Sequence, residues 1–348
     1  MRNPTEWHPA HIRQHCDITP TVRAFEVRPE GGVRPWTVGS HLNVRVQIDG
    51  RDETRSYSLI GAPHEPAGPP QGRVPERAAR RFPVQAGADE VYRIAVKRAQ
   101  PGRGGSHHMW SLERGAELFV GEPANHFELP LGAPQYLLIA GGIGVTPILG
   151  MAQQLAARGA DVRMLYAARE AVELAFADRL RSALGERLTT FVDGAGKRLE
   201  IAAHIGALHP KALLLICGPL PLLEAARVAW AAAGRPAANL RFETFGNTGA
   251  RASEPFWVEL PRHGVTLQVP AERTLLDVLN DAGIETLFDC RRGECGLCAI
   301  DIVSVQGSVD HRDVFLSAHE KREGRRLCAC VSRVTGGGVV LDTAYRPD

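Results

Sequence analysis

Residues 290–298 read CRRGECGLC, three cysteines spaced C-x4-C-x2-C. The chain holds seven cysteines; Cys16 and Cys217 stand alone, while Cys290, Cys295, Cys298, Cys328 and Cys330 gather near the C-terminal end. An odd total clustered in this way argues against a disulfide framework and for a local metal site. Structural zinc sites pair their cysteines as C-x2-C with a second such pair, whereas the first gap here is four residues. C-x4-C-x2-C with a distant fourth cysteine is the spacing that holds a [2Fe–2S] cluster. The loop must wrap tightly and aim backbone N–H groups at sulfur, and Gly293 and Gly296 permit that approach. Arg291 and Arg292 are expected to offset the cluster's negative charge. For the fourth ligand, RLCACVSR (326–333) offers Cys328 and Cys330. On one continuous strand both face the same way, with Ala329 opposite, so spacing leaves the choice open.

Working outward, TLLDVLNDAG (274–283) reads as a helix starting near Thr274 with Gly283 past its end. Before it, FWVEL (256–260) and VTLQVP (265–270) read as a hairpin turning at Arg262-His263-Gly264. Together these predict a small β-grasp ferredoxin-like domain over 256–348, preceded by a linker, GNTGARASEP (246–255). Over 133–245 apolar strands alternate with helices: QYLLIA, PILGMAQQLAARG, DVRMLYAAR, AFADRLRSAL, LTTFVD, ALLLICG and PLLEAARVAWAAAG. That alternation predicts a parallel, doubly wound nucleotide-binding sheet. Over 1–132 short β-like runs with turn signals predict an antiparallel barrel. The Pro- and Arg-rich stretch 61–90 is expected to be a surface loop.

The chain has 348 residues and a formal net charge of +2. That balance gives no electrostatic case for nucleic acid or a membrane surface as partner. No apolar run approaches the roughly 20 residues that span a bilayer; ALLLICGPLPLL (212–223) is broken by Gly218, Pro219 and Pro221. MRNPTEWHPA (1–10) has no apolar signal core, so the expected location is the cytoplasm, where structural disulfides are unusual.

A [2Fe–2S] cluster takes one electron at a time, and a nicotinamide delivers two as hydride. A flavin is the usual device between them. GGIGVTP (141–147) departs from GxGxxG, yet it is a Gly-rich turn between strand and helix, suited to a pyrophosphate. A tight turn alone would read the same. For the flavin, RSYSL (55–59) offers Arg55 to phosphate and Tyr57 and Ser58 to the ring, and KRAQPGRGGSHH (97–108) is a second basic, Gly-rich anion site. His107 and His108 read as loop residues rather than ligands. By composition alone RSYSL is more often an ordinary barrel strand.

These motifs, in this order, resemble the phthalate dioxygenase reductase family and its vanillate O-demethylase relatives over essentially the whole chain. RSYSL and AVKR…GRGGS resemble that family's FMN site. GGIGVTP and CGPLPLL resemble its nicotinamide-nucleotide site, and FETFG (242–246) the segment near the flavin face. DCRRGECGLC, VDHRDVFLS and CVSR resemble its ferredoxin module. The resemblance implies that Arg55, Ser56, Tyr57 and Ser58 contact FMN, that Ala95, Val96 and Lys97 line it, and that Gly104, Gly105 and Ser106 cradle its phosphate. It places Gly142 and Thr146 at the dinucleotide, Cys217, Gly218 and Pro219 near the nicotinamide, and Phe242 and Glu243 by the hydride-transfer face. Cys217 there is a small positioning residue, not a nucleophile. The family's last ligand precedes V-S-R, which selects Cys330, although the resulting x31 gap is longer than the x29 of plant ferredoxins, which would select Cys328.

Arg169 and Glu170 give opposed signals for NADPH and NADH; the family implies NADH. The absence of an aromatic adenine-stacking extension fits FMN over FAD. The implied activity is that of a reductase feeding a separate Rieske-type oxygenase or O-demethylase. A cytochrome P450 partner is the alternative within this class. A non-catalytic iron–sulfur redox sensor is the alternative outside it. The stretch 62–88 exceeds the family's shorter connection.

Overall fold

A computed structural model describes residues 6–61, 91–99, 104–193, 199–245 and 253–343. The expected surface loop, apart from Gly61, and most of the expected linker lie outside the described residues.

The N-terminal sheet comprises β1 (His8–Thr19), β2 (Val22–Pro29), β3 (Ser40–Ile48), β4 (Arg51–Ser58), β5 (Tyr92–Lys97), β6 (Glu117–Val120) and β7 (Ala124–Asn125). Helix α1 (Gly105–Ser111) lies between β5 and β6. The strand order is β4-β3-β6-β1-β2-β5, every pairing antiparallel, with β7 on β3. An antiparallel bridge from Leu59 to Ile94 brings the end of β4 to β5 and closes the sheet into a barrel. β3 and β4 join through Asp49 and Gly50, both at positive φ, the geometry of a tight hairpin turn. Phe25, Leu42, Val44 and Ile94 fill the interior.

Next come β8 (Tyr136–Gly141), α2 (Val145–Ala157), β9 (Val162–Ala168), α3 (Ala177–Leu184), β10 (Leu188–Val192) and α4 (Ile201–Gly206). β11 (Leu213–Cys217), α5 (Leu220–Ala232) and β12 (Leu240–Glu243) complete the layer. The sheet is parallel, in the order β10-β9-β8-β11-β12. Every residue of β8, YLLIAG, is buried, as a central parallel strand covered on both faces requires. Barrel residues Val22, Ala24, Ile60 and Ala95 share one apolar core with Leu138 and Ile148 of this layer. Barrel and parallel sheet accordingly form one compact unit ending at Glu243.

A second unit starts at Thr244. It contains β13 (Phe256–Leu260), β14 (Val265–Val269), α6 (Leu275–Asp281), β15 (Ala299–Asp310), α7 (Ala318–Glu323), β16 (Arg326–Cys328) and β17 (Arg333–Asp342). The order is β14-β13-β17-β15-β16, with β13 and β17 parallel and the other pairs antiparallel, a β-grasp sheet. Thr274 caps α6 as the sequence suggests, its hydroxyl accepting from the Asp277 amide at 3.1 Å. Arg333 is buried and donates to the carbonyls of Arg273, Glu254 and Pro270 at 2.6, 2.8 and 2.7 Å.

One expectation is corrected. The chain does not run extended from Cys328 to Cys330: β16 stops at Cys328, and a turn follows. The Val331 and Ser332 amides both donate to the Cys328 carbonyl, at 3.2 and 2.9 Å, which folds Cys330 back.

Candidate functional site

The parallel sheet changes direction at β8, with β9 on one side and β11 on the other. Ligands of such sheets bind beyond the strands' carboxyl ends at this switch. Both nucleotide motifs arrive there. Cys217 pairs in register with Ala140, and the GGIG turn folds against Cys217–Pro219. The fit is close: a Cβ on Gly144 would lie 2.2 Å from the Cys217 carbonyl oxygen. Gly142, by contrast, faces open space at φ +53°. Tyr166 on β9 donates to the Gly142 carbonyl at 3.2 Å and fixes the turn. Thr146 is buried and donates to the Ile143 carbonyl at 2.9 Å, so its hydroxyl shapes the turn from within. Arg169 and Glu170 end exposed just past β9.

In the barrel, Arg55 meets the GGS turn. A Cβ on Gly105 would strike Arg55 Cγ at 2.8 Å, so the guanidinium stem lies across the start of α1. Ser106 Oγ accepts from the Ala99 amide at 3.1 Å and ties that turn to the end of β5. Ser56 donates to Asn43 Oδ1 at 2.6 Å. Tyr57 packs against the barrel core, and burial pushes its hydroxyl pKa up, Arg55 opposing. Ala95 and Val96 are buried on opposite sides of β5, in the shared core and the barrel interior respectively. Lys97 is engaged by Glu173, which follows β9 and also accepts from Thr21 Oγ1 at 2.5 Å. Burial alone would raise the Glu173 pKa, but the bonds from Lys97 and Thr21 hold it below the ordinary value.

The barrel and the last parallel strand converge on one bond: Ser58 Oγ donates to Glu243 Oε2 at 3.3 Å, both residues buried. Phe242 beside it lies under the Arg227 guanidinium of α5, 5.9 Å from the ring centre.

In the second unit the cysteine loop follows α6. Gly293 and Gly296 both adopt φ +74°, and the turns they allow aim three amides at one sulfur. The N–H groups of Arg292, Glu294 and Cys295 lie 3.4, 3.3 and 3.4 Å from Cys290 Sγ. Cys298 Sγ accepts from the Cys330 amide and lies within hydrogen-bonding reach of the thiols of both Cys328 and Cys330. Those neighbouring thiols draw the Cys298 pKa down, while the contact with Cys298 and burial push their own upward. Among the described residues no three His, Cys, Asp or Glu side chains converge on a single ion. The cysteines form two groups, Cys290 with Cys295 and Cys298 with Cys328 and Cys330. A two-iron cluster with terminal thiolates on each iron needs that arrangement, and the donor set fits it.

The two arginines carry less free charge towards the loop than expected. Arg291 pairs with Asp277 at 2.9 Å and stacks on Phe288, and Arg292 Nε lies 3.8 Å from Glu294. Glu294 also receives Thr244, from its amide at 2.5 Å and its hydroxyl at 3.0 Å. Tyr166, Glu173, Glu294 and Thr244 escaped the sequence reading. Tyr166 and Glu173 lie outside the motifs, whereas Glu294 and Thr244 lie within CRRGECGLC and FETFG; what hid all four is that each acts on a residue distant in sequence.

Two family models match the chain: an oxidoreductase NAD-binding domain over residues 138–228 and a 2Fe-2S iron-sulfur cluster binding domain over 258–335. Among curated proteins, phthalate dioxygenase reductase of Burkholderia cepacia is 36% identical, covering 93% of this chain and 94% of its own. The heme-dependent oxidative N-demethylase beta subunit of Ectopseudomonas mendocina is 34% identical, over 94% of this chain and 96% of that protein. A solved phthalate dioxygenase reductase structure, described as modular for electron transfer from pyridine nucleotides to [2Fe-2S], superposes with a TM-score of 0.75. It has 31% identity and covers 97% of this chain and 98% of its own.

Proposed function

We propose, for a chain that belongs to the phthalate dioxygenase reductase family, the assignment of each cofactor to the residues described above. The protein is a reductase component that carries electrons from NADH through FMN to a [2Fe–2S] cluster and serves a multicomponent oxygenase or demethylase. Flavin supplies the exchange between a hydride and single electrons that nicotinamide and cluster cannot make directly.

In this reading the functional divisions are 1–132 for FMN, 133–245 for NADH and 256–348 for the cluster, with 246–255 as linker. Arg55 and Gly104–Ser106 hold the FMN phosphate. Ser56, Tyr57, Ser58 and Ala95–Lys97 surround the ring. Gly142, Thr146 and Cys217–Pro219 seat the nucleotide, while Phe242 and Glu243 border the nicotinamide and flavin. Cys290, Cys295, Cys298 and Cys330 hold iron. No side chain acts as nucleophile or general acid. The residues' work is to bind, orient and exclude water. The observation that carries this reading is the Ser58–Glu243 bond, which puts the flavin and hydride-face motifs at one place.

We place the protein in the cytoplasm. Its seven cysteines form no disulfides, and no described helix is long and apolar enough to cross a membrane. The partner we propose is a Rieske-type non-haem iron oxygenase. A haem partner is a second reading, favoured by the name of the N-demethylase relative.

Chromatography of released flavin, with iron analysis, tests the assignment. Arg55→Ala should lose FMN and keep its iron; retention of full FMN would refute the phosphate role. Reconstitution with purified Rieske and haem oxygenases, NADH as donor, decides the partner.

A further inference from the structure

The connection from β8 into α2 opens outward at a single peptide. From Gln135 to Ala152 every residue is buried except Gly142 and Ile143. We infer that Tyr166 is a positioning residue of the nucleotide site: its hydroxyl holds the Gly142–Ile143 peptide so that the Ile143 N–H faces outward to receive a phosphate oxygen of the dinucleotide. The inference rests on the assignment of the GGIG turn to the nucleotide proposed above.

Tyr166 stands on β9 opposite Ala140 of β8, which lies two residues before Gly142, and it has no exposed surface. Its ring belongs to an apolar core in which a phenylalanine would pack equally. A buried hydroxyl costs free energy unless it is bonded, and this one donates to the Gly142 carbonyl at 3.2 Å. The Val145 amide donates to the same oxygen, so two donors fix its direction. Burial pushes the Tyr166 hydroxyl pKa up, which keeps the proton on the donor.

A peptide unit is planar and trans, so its C=O and N–H point in opposite directions. With the Gly142 carbonyl turned inward to Tyr166, the Ile143 N–H turns towards the one opening in this run of chain. Thr146 holds the next carbonyl, that of Ile143, at 2.9 Å. Gly142 lies at φ +53°, and an added Cβ would meet no neighbour, so that side of the turn is open. Backbone amides at the start of a helix suit a phosphate, and an amide already aimed needs no reordering when the ligand arrives.

The test uses the full-length, cofactor-loaded chain and two probes. ADP-ribose carries the pyrophosphate without a nicotinamide, and reduced nicotinamide riboside carries the nicotinamide without a phosphate. Calorimetry gives the Kd for ADP-ribose; flavin reduction gives kcat and KM for NADH and the second-order rate constant for the riboside. Tyr166→Phe should keep its flavin and bind ADP-ribose about three- to tenfold more weakly, as the loss of one orienting hydrogen bond implies. Its KM for NADH should rise by a similar factor with kcat retained, and its rate with the riboside should match the parent's. A parent-like Kd for ADP-ribose overturns the positioning role. An equal loss with both probes also overturns it, since that marks a general loosening of the core. Gly142→Ala, whose methyl projects into the open side of the turn, tests the underlying assignment. Weaker ADP-ribose binding there beside a parent-like Tyr166→Phe leaves the nucleotide assignment standing. Parent-like binding in both overturns that assignment as well.

Discussion

Ser58 on β4 of the barrel donates to Glu243 at the end of β12, across 3.3 Å and 185 positions of sequence. This bond fixes the last parallel strand to the strand proposed to lie along the flavin. Glu243→Gln keeps the shape and weakens a charge-assisted bond. Stopped-flow reduction of FMN by NADH should slow by about tenfold, equivalent to ~1.4 kcal/mol in the barrier, with flavin content unchanged. An unaltered rate would remove Glu243 from the hydride-transfer site.

The GGIG turn leaves no space at Gly144. A methyl group there would lie 2.2 Å from the Cys217 carbonyl oxygen, which is backbone and cannot rotate aside. Gly144→Ala should therefore part β8 from β11 at the switch point, costing about 1–3 kcal/mol of stability. The KM for NADH should rise at least severalfold. Gly142→Ala provides the contrast, since its Cβ would meet no neighbour. Its positive φ gives only a backbone penalty. Equal losses of stability in the two would contradict the packing argument.

Glu173 joins the β9–α3 connection to the barrel through Lys97 and Thr21. Burial opposes its charge, but these bonds prevail and lower its pKa below 4.5. A carboxyl with a lowered folded pKa contributes stability above its unfolded pKa and loses it as pH falls through the folded one. Glu173→Gln should thus have a lower Tm than the parent at neutral pH, with the gap closing as the pH drops below that of an ordinary glutamate. A gap independent of pH would show that the charge contributes nothing.

Arg333 satisfies three carbonyls from separate segments, those of Glu254, Pro270 and Arg273. Arg333→Met fills similar volume and orphans them. At ~1–3 kcal/mol for a buried polar group left unpaired, the C-terminal unit should lose at least ~3 kcal/mol, with a loss of iron. Reduction of FMN by NADH, which depends on the N-terminal unit, should continue at the parent's rate. Slowed FMN reduction would contradict this division of roles.

Where local pattern sets the structure, the sequence was readable. QYLLIA is apolar throughout because β8 is covered on both faces. Thr274 caps α6 because its hydroxyl reaches the Asp277 amide. CRRGECGLC wraps as its two glycines allow. The turn after Cys328 was not readable: Ala329, Cys330, Val331 and Ser332 include no glycine, proline or asparagine. Bonds to the Cys298 and Cys328 carbonyls impose that turn. Glu173 was equally hidden, since its partners stand 76 and 152 positions away and leave no period in the sequence. The charge balance of the cysteine loop was misjudged for the same reason, because Asp277, which neutralises Arg291, lies on the preceding helix.

The most direct test of the electron route is an anaerobic titration of the purified, cofactor-loaded protein with NADH. Flavin absorbance and the cluster's paramagnetic signal are followed together. The account predicts that the flavin bleaches and that the signal of a reduced [2Fe–2S] cluster then grows, without any added mediator. Bleaching of the flavin with a cluster that stays oxidised throughout would contradict it.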